Sequence, residues 1–511
     1  MESVDSLENK KETEIKMGSM NVSQFRYEGI KNDGEIKIND KIRKSIFYIL
    51  CGVYCISCCD GGIIPQQNSN IQKDFEDEGN ETRVGLFGSI DYIGRIIGAI
   101  IMSYLIDKMD RRLYLSGCCF LKGIISLVPF ITPYYYPNIV ARLLSGMPQT
   151  LLTSYGTIWT DQFGKRKNRA LMVSLLQLGG LLGIIVGYGL GIICDLILKN
   201  SSISNKILPW RFCFVIEGVF LGILGLLIIA FPKIYFSKTF YLNTNDDFKG
   251  KEKPVTEIEK SKKHSHDIIG LLKQIPKIFC QKIFIFMSLG NTVAFFGMRV
   301  IQFYADKYMD LVLEVKKEIK FILYIFICLS GPVLGIIITS IIFTKIGGYS
   351  NKNGMILIIV LNLIACLISI TISATLNPII SLGSAWLYLF CFAAVTPQQG
   401  GLIIVSLPKE LKGNGFSINL FFLNCLGSFP SSYVFALICD YIRDNYPEQG
   451  NMRYRTTMRI IMLYNFVGLI LVIMGGIYRF KIKGELDSSN NEKKEIEEKE
   501  EEENNNNTQI D

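Results

Sequence analysis

The sequence predicts an all-α integral membrane protein with twelve transmembrane helices in two six-helix pseudo-symmetric halves. Three observations predict it. Apolar windows of spanning length recur through the middle of the chain, lysine and arginine crowd alternate connections between them, and a Pro-Gln pair recurs in matching windows of the two halves. A hydrocarbon core about 30 Å thick needs about 20 mostly uncharged residues in helical form. At 49% hydrophobic residues and a mean hydropathy of +0.30, the 511-residue chain is too apolar for a string of soluble domains.

In chain order the windows lie near 44–66, 84–106, 113–133, 138–160, 170–194, 210–231, 282–305, 320–344, 355–375, 379–407, 414–441 and 458–480. The polar opening MESVDSLENKKETEIK lacks the charged, apolar, small succession of a cleavable leader, so the first window is expected to stay as an anchor. Residues 1–43 are expected to be a disordered N-terminus, 44–231 the first half and 282–480 the second. The linker 232–281, rich in Lys, Glu and Asp, and the acidic tail 481–511, ending EEKEEEENNNNTQID, are too charged to fold.

Basic residues set the expected orientation. They crowd the approach to the first window (Lys41, Arg43, Lys44), the second loop (Lys108, Arg111, Arg112), the fourth (Lys165, Arg166, Lys167, Arg169) and the long sixth, whereas TPYYYPN and SATLNP have none. By the positive-inside rule both termini and the linker face the cytoplasm. Loop eleven, with Arg443, Arg453 and Arg455, runs against the rule. The sequons Asn80-Glu-Thr82 and Asn200-Ser-Ser202 fall in loops placed outside, in agreement with that topology.

Charge and composition exclude several function classes. The net charge of +8 is dispersed over short loops and forms no single basic face, so no nucleic-acid partner is expected. The 14 cysteines fall mostly inside apolar windows, as Cys58, Cys59, Cys118 and Cys119 do, where they act as small hydrophobes. The two histidines, His264 and His266, lie in the charged linker, and no metal or cofactor is expected. An integral membrane enzyme would need a clustered catalytic set, which the windows do not contain.

The halves repeat one another locally. Pro148-Gln149 in window four answers to Pro397-Gln398 in window ten, and each is followed by a basic loop and a helix with an amide just before glycine, Gln177/Gly179 and Asn424/Gly427. Two weakly similar halves with a binding site between them near the midplane are the signature of a transporter built from repeats.

After the second window comes SYLIDKMDRR, residues 103–112. It resembles the loop motif of the major facilitator superfamily, with Asp107, Lys108, Arg111 and Arg112 in register and Ser103 and Asp110 replacing glycines. A carboxylate at such a helix end can meet a neighbouring helix N-terminus or a basic residue and latch the cytoplasmic side. The second-half equivalent, SIIFTKIGGY, has Thr344 at the acidic position. The glycine-rich GGLLGIIVGYGLG fits the same fold by allowing helices to approach closely. Within the superfamily, CDGGIIPQQNSNIQKDF resembles the first helix of spinster-like transporters, and RLLSGMPQ their Arg-x-x-x-Gly-x-x-Glu stretch. Arg142 and Gly146 match, but Gln149 replaces the glutamate, which tells against a two-carboxylate relay through that position.

Charges inside the windows are the candidate coupling or substrate residues. Asp60 lies roughly 24 Å along helix one and Arg142 near the outer end of helix four, so the two are expected to share a depth. A buried carboxylate either pairs with a cation or takes up a proton, and a transporter can use that choice. Arg95, with Asp91 one turn earlier, Lys122, Glu217, Arg299 and the amides Gln149, Asn291, Gln302 and Gln398 complete the set. The expected function is secondary active transport of an organic solute by alternating access, with a proton as coupling ion. The spinster resemblance implies a lysolipid or sphingoid-type amphiphile. The alternatives are a small polar metabolite, a sugar or an organic anion, or a transport-incompetent membrane sensor. A monomer in the bilayer is expected, in the plasma membrane or an endolysosomal or vacuolar membrane.

Overall fold

A computed structural model describes residues 31–32, 35–75, 80–106, 108–164, 169–199, 208–237, 240–242, 249–252, 275–346, 352–407 and 411–507. Asp107, the histidine pair, the Asn200 sequon and the basic run 165–168 lie outside them.

Eleven helices among the described residues are long and apolar enough to cross a membrane. They are α1 (Asp40–Gln66), α2 (Glu81–Met102), α3 (Arg111–Ile131), α5 (Leu178–Leu198), α6 (Pro209–Ala230), α7 (Lys282–Leu311), α8 (Glu318–Phe343), α9 (Lys352–Ala374), α10 (Pro378–Ile403), α11 (Ser417–Asn445) and α12 (Met452–Lys481). The window near 138–160 is helical as well, over Tyr135–Phe163, and is α4. It carries Arg142, Gln149 and several threonines and serines, which lower its hydropathy. Six helices thus precede the linker and six follow it.

Local sequence explains the helix starts. Asn39, Asn80 and Asp110 turn their side-chain oxygens onto the amides of Lys41, Thr82 and Arg112 at 3.0, 3.1 and 3.0 Å, the N-cap geometry that fills an orphan donor. Pro209 opens α6, where a missing N–H costs nothing.

Three stretches expected to lack structure contain some. Strands β1 (Lys31–Asn32), β2 (Glu35–Lys37), β3 (Phe240–Leu242) and β4 (Lys249–Glu252) form an antiparallel sheet in the order β1-β2-β4-β3, joining the N-terminal arm to the linker. The final helix continues through the acidic tail to Asn507, a run rich in the strong helix formers Glu and Lys.

Arginines tie helix ends in both sets. Near the start of α6, Arg211 Nη1 donates to the carbonyls of Pro129 and Thr132 at the end of α3, at 3.0 and 3.1 Å. Near the start of α12, Arg455 donates to the carbonyls of Ser373 and Ala374 at the end of α9, at 2.8 and 2.7 Å. These are orphan carbonyls of helix C-termini. Loop eleven's other arginines are also engaged, Arg443 with Asp440 and Asp444 and Arg453 with the Tyr454 hydroxyl. Structural duty explains basic residues that the orientation rule does not.

Three apolar cores organise the bundle. One is shared by both sets, with Ile63, Phe87 and Trp210 from the first and Val300, Tyr304 and Phe435 from the second. Another contains residues of the first set and its flanks alone, among them Leu151, Trp159 and Phe236, and a third contains residues of the second set and its flanks alone, among them Phe284, Phe343 and Leu402. The sets are therefore packed together toward one end, near Glu81, and have separate cores toward the other, near Arg112.

Candidate functional site

The densest polar chemistry grows from a defect in α1. The helix is regular to Ser57 and restarts at Asp60, with a turn at Cys58 and Cys59. Across the turn the amide of Gly61 donates to Cys58 O at 3.2 Å and to Asp60 Oδ1 at 2.8 Å, leaving Ser57 O without its helical donor. Two side chains fill the vacancy: Lys122 Nζ of α3 and Gln149 Nε2 of α4 each donate to Ser57 O at 2.6 Å. Lys122 also donates to Gln149 Oε1 at 2.9 Å.

Around this point six ionisable side chains meet, drawn from α1, α2, α3, α4 and α6. Asp60 Oδ2 lies 2.7 Å from Arg142 Nη1 and 3.4 Å from Lys122 Nζ. Lys122 lies 3.1 Å from Glu217 Oε1, whose two oxygens have no hydrogen-bond partner among the described residues. Arg142 Nη2 lies 3.7 Å from Asp91 Oδ1, and Asp91 Oδ2 accepts from Arg95 Nε and Nη2 at 3.1 and 2.8 Å. Asp60, Asp91 and Glu217 thus face Arg95, Arg142 and Lys122. All but Arg95 are buried, with Lys122 only 1% exposed. Removing one partner of a buried pair typically costs about 3–5 kcal/mol because the other is left uncompensated.

Close backbone approach makes the cluster compact. A Cβ on Gly146 would stand 2.0 Å from Asp91 O, and one on Gly62 1.8 Å from Ile184 O, so α4 touches α2 and α1 touches α5 at these points. Phe87 and Phe214 flank the Arg142 guanidinium, 5.6 and 5.9 Å from their ring centroids, and shield it on an apolar side.

A second patch joins the two sets. Tyr92 of α2 has Arg95 at 4.6 Å from its ring centroid and Arg299 of α7 at 5.6 Å. Arg299 donates to Gln302 Oε1 at 3.1 Å and pairs with no carboxylate among the described residues. The half-buried Tyr92, Arg95 and Arg299 therefore gather two guanidiniums around one aromatic face. Gln398 stands apart from both patches, donating to Ser340 Oγ at 3.3 Å, and Asn291 is buried on α7.

At the Arg112 end, Arg111 Nη1 donates to Gln162 Oε1 at 3.1 Å and Arg112 Nη1 to Phe231 O at 2.8 Å, at the ends of α4 and α6. Lys108 is exposed. These basic groups brace the first set itself.

Sequence reasoning did not single out the contacts at the Glu81 end. Asp440 of α11 accepts from the amides of Glu81 and Thr82 at 2.9 and 2.8 Å and from the Thr82 hydroxyl, capping α2 from the other set. The buried Lys307 of α7 pairs with Glu81 and donates to Asn68 and Gln72 at 3.3 and 3.0 Å. The Tyr454 hydroxyl donates to Glu81 as well. Nearby, Tyr188 of α5 donates to Asp306 of α7, which also pairs with Lys320 at 3.2 Å. The signal was present in FYADKYMD, charged residues that continue an apolar window in helical register. Nothing local marked the partners of Lys307, more than 200 residues away.

Comparison with known proteins follows the same lines. The family profile described as Major Facilitator Superfamily matches residues 49–432. An uncharacterized transporter of Schizosaccharomyces pombe is 27% identical over 230 residues, 43% of this chain and 42% of that protein. The sphingosine-1-phosphate transporter SPNS2 of Danio rerio is 32% identical over 136 residues, 26% of each chain. The chain spans less than half the length of each of these relatives. Among solved structures, a bacterial homolog of the human lysosomal transporter Spinster, inward-facing and unoccupied, aligns with a TM-score of 0.68 at 15% identity, covering 87% of this chain and 98% of that one. The D-xylose-proton symporter aligns at 0.59 and 15% identity, covering 83% and 97%.

Proposed function

Since the chain belongs to the Major Facilitator Superfamily, a family of membrane transporters and not of enzymes, we propose that it moves an organic solute by alternating access, coupled to protons through Asp60. The observation that carries the coupling is Asp60 Oδ2 lodged between Arg142 and Lys122 in a site closed to water. Proximity to the cations favours the carboxylate, and burial favours the acid. A proton on Asp60, or an anionic group of the solute drawing Arg142 away, tips the balance. Gln149 can hydrogen-bond but does not titrate. Glu217, on the far side of Lys122, supplies the second carboxylate that position 149 lacks.

The cargo on this reading is an amphiphile with an anionic head, of the lysolipid or sphingoid type. Tyr92, Arg95 and Arg299 gather guanidiniums where both sets contribute, and the sphingosine-1-phosphate transporter of Danio rerio is among the relatives. A sugar is the second reading, favoured by the sugar-transporter relatives of Arabidopsis thaliana and the facilitated glucose transporter of Homo sapiens. The termini are assigned to the cytoplasm, which makes the Glu81 end the outer one. The arrangement described is then closed outside, and DKMDRR, residues 107–112, latches the inner end in the opposite state.

Asp60→Asn keeps the shape of the side chain and removes its titration. In proteoliposomes the variant should lose pH-driven uptake while retaining exchange of a labelled solute. Accumulation against a gradient with unaltered pH dependence would remove Asp60 from the coupling role.

A further inference from the structure

Two helices of the second set contain a wider turn. Residues Phe326–Ser330 of α8 and Leu423–Ser428 of α11 are π-helical. Each is followed after one residue by proline, in the runs CLSGP and LGSFP. Pro332 has no N–H for the carbonyl of Cys328, and Pro430 none for that of Leu426, and each ring crowds the carbonyl four residues back. Widening the turn upstream relieves that conflict, and such segments mark places where helices bend. Side chains meet some of the altered carbonyls: Ser330 Oγ donates to Phe326 O, and Asn424 Nδ2 to Leu420 O at 3.0 Å.

Position gives the two segments a shared meaning. The α11 segment packs against α2, and the α8 segment against α5, so each meets a helix of the opposite set. One turn before the α8 segment, Tyr324 stacks on Tyr188 of α5 with ring centroids 4.0 Å apart. Their own set lies close behind: a Cβ on Gly427 would stand 3.0 Å from Thr292 O of α7, and one on Gly331 2.9 Å from Trp386 O of α10. The facing helices α2 and α5 contain no proline, and their described residues no π-helical turn. The first set is moreover cross-braced by the ion pairs that link α1, α2, α3, α4 and α6.

We infer that the transport cycle is asymmetric: the first six helices move as one body, while α8 and α11 bend at Phe326–Ser330 and Leu423–Ser428 as paired hinges. This rests on the alternating-access reading above. Opening of the Glu81 end then requires Asp440 and Tyr324 to leave α2 and α5, and each lies on a helix with a hinge between it and the opposite end.

Hydrogen exchange on the full chain in lipid nanodiscs tests this without a substrate. Amides of 326–331 and 423–429 should exchange about tenfold or more faster than those of α2 and α5 at similar burial. Equal protection overturns the proposal. The double variant Pro332→Ala/Pro430→Ala, which restores both donors, should slow exchange at both segments by about tenfold and slow interconversion of the two end-open forms, read by spin-label distances across the sets. Slower exchange with an unchanged interconversion rate also overturns it. Fast exchange at both segments in a chain that never interconverts supports bending there and tells instead against alternating access.

Discussion

The two Pro-Gln pairs sit in corresponding helices and live in different worlds. Gln149 stands within a cluster of ionisable side chains, bonded to Lys122 and to the freed carbonyl of Ser57. Gln398 bonds to a serine hydroxyl. The same contrast runs through the two centres. The first set gathers Asp60, Asp91, Glu217, Arg95, Arg142 and Lys122 in one cluster, whereas the second turns its buried Asp306, Lys307 and Asp440 onto the first and has neutral pairs such as Asn465, whose Oδ1 accepts from the Tyr388 hydroxyl at 3.0 Å. What the repeat shares is mechanical, an arginine on α6 or α12 tying the end of α3 or α9. What it does not share is charge. A duplicated scaffold can keep its mechanical ties in both halves and concentrate a polar cluster in one.

The strongest way to break this comparison is Lys122→Met, which leaves Asp60 and Glu217 in one pocket without their common cation. A loss of about 3–5 kcal/mol is expected in chemical unfolding, against about 1 kcal/mol for Gln398→Met, which removes one neutral hydrogen bond. Equal losses would mean that the ionic centre has no energetic distinction. Next in size is Arg455→Ala, which strips Ala374 O at the end of α9 of its donor, leaves Ser373 O to Arg459 alone, and should cost about 1–3 kcal/mol. A negligible loss would show that the tie is not a working part of the repeat. Asp440→Ala removes the cap on α2 supplied by the opposite set, worth about 1–2 kcal/mol, enough to move the balance between end-open forms by roughly 5–30-fold. Cysteine labelling from both faces reads that shift, and an unmoved pattern would demote the cap to decoration. Smallest in stability is Asp107→Ala, expected to leave unfolding unchanged while enriching the form closed at the Glu81 end.

Much of the fold was legible because membranes impose length and apolarity on each helix separately, and periodic segments of that kind need no knowledge of their neighbours. Charges in such segments were legible as anomalies, which is why Asp60, Arg142 and Glu217 could be singled out. Their grouping was another matter. Lys122 stands out in sequence as a charge inside a window, but its central place depends on the carbonyl that the α1 break exposes. Tyr92 carries no sequence signal at all, since its role comes from two arginines that approach from different helices. The π-helical turns were half visible: proline marks a probable bend, but whether the backbone kinks or widens depends on what packs against it.

The bonds at the Glu81 end also bear on how the chain is made. Thr82 waits for Asp440, 358 positions later, and Glu81 for Tyr454, 373 positions later. Synthesis from the N-terminus therefore inserts α2 long before its first turn can be completed, and until α11 and α12 arrive Glu81 has, among the described residues, the nearby Gln72 and, once α7 emerges, Lys307. The last two helices close a ring of contacts begun by the second, so a chain arrested between α10 and α11 presents an unfinished polar surface at this end, open to quality control.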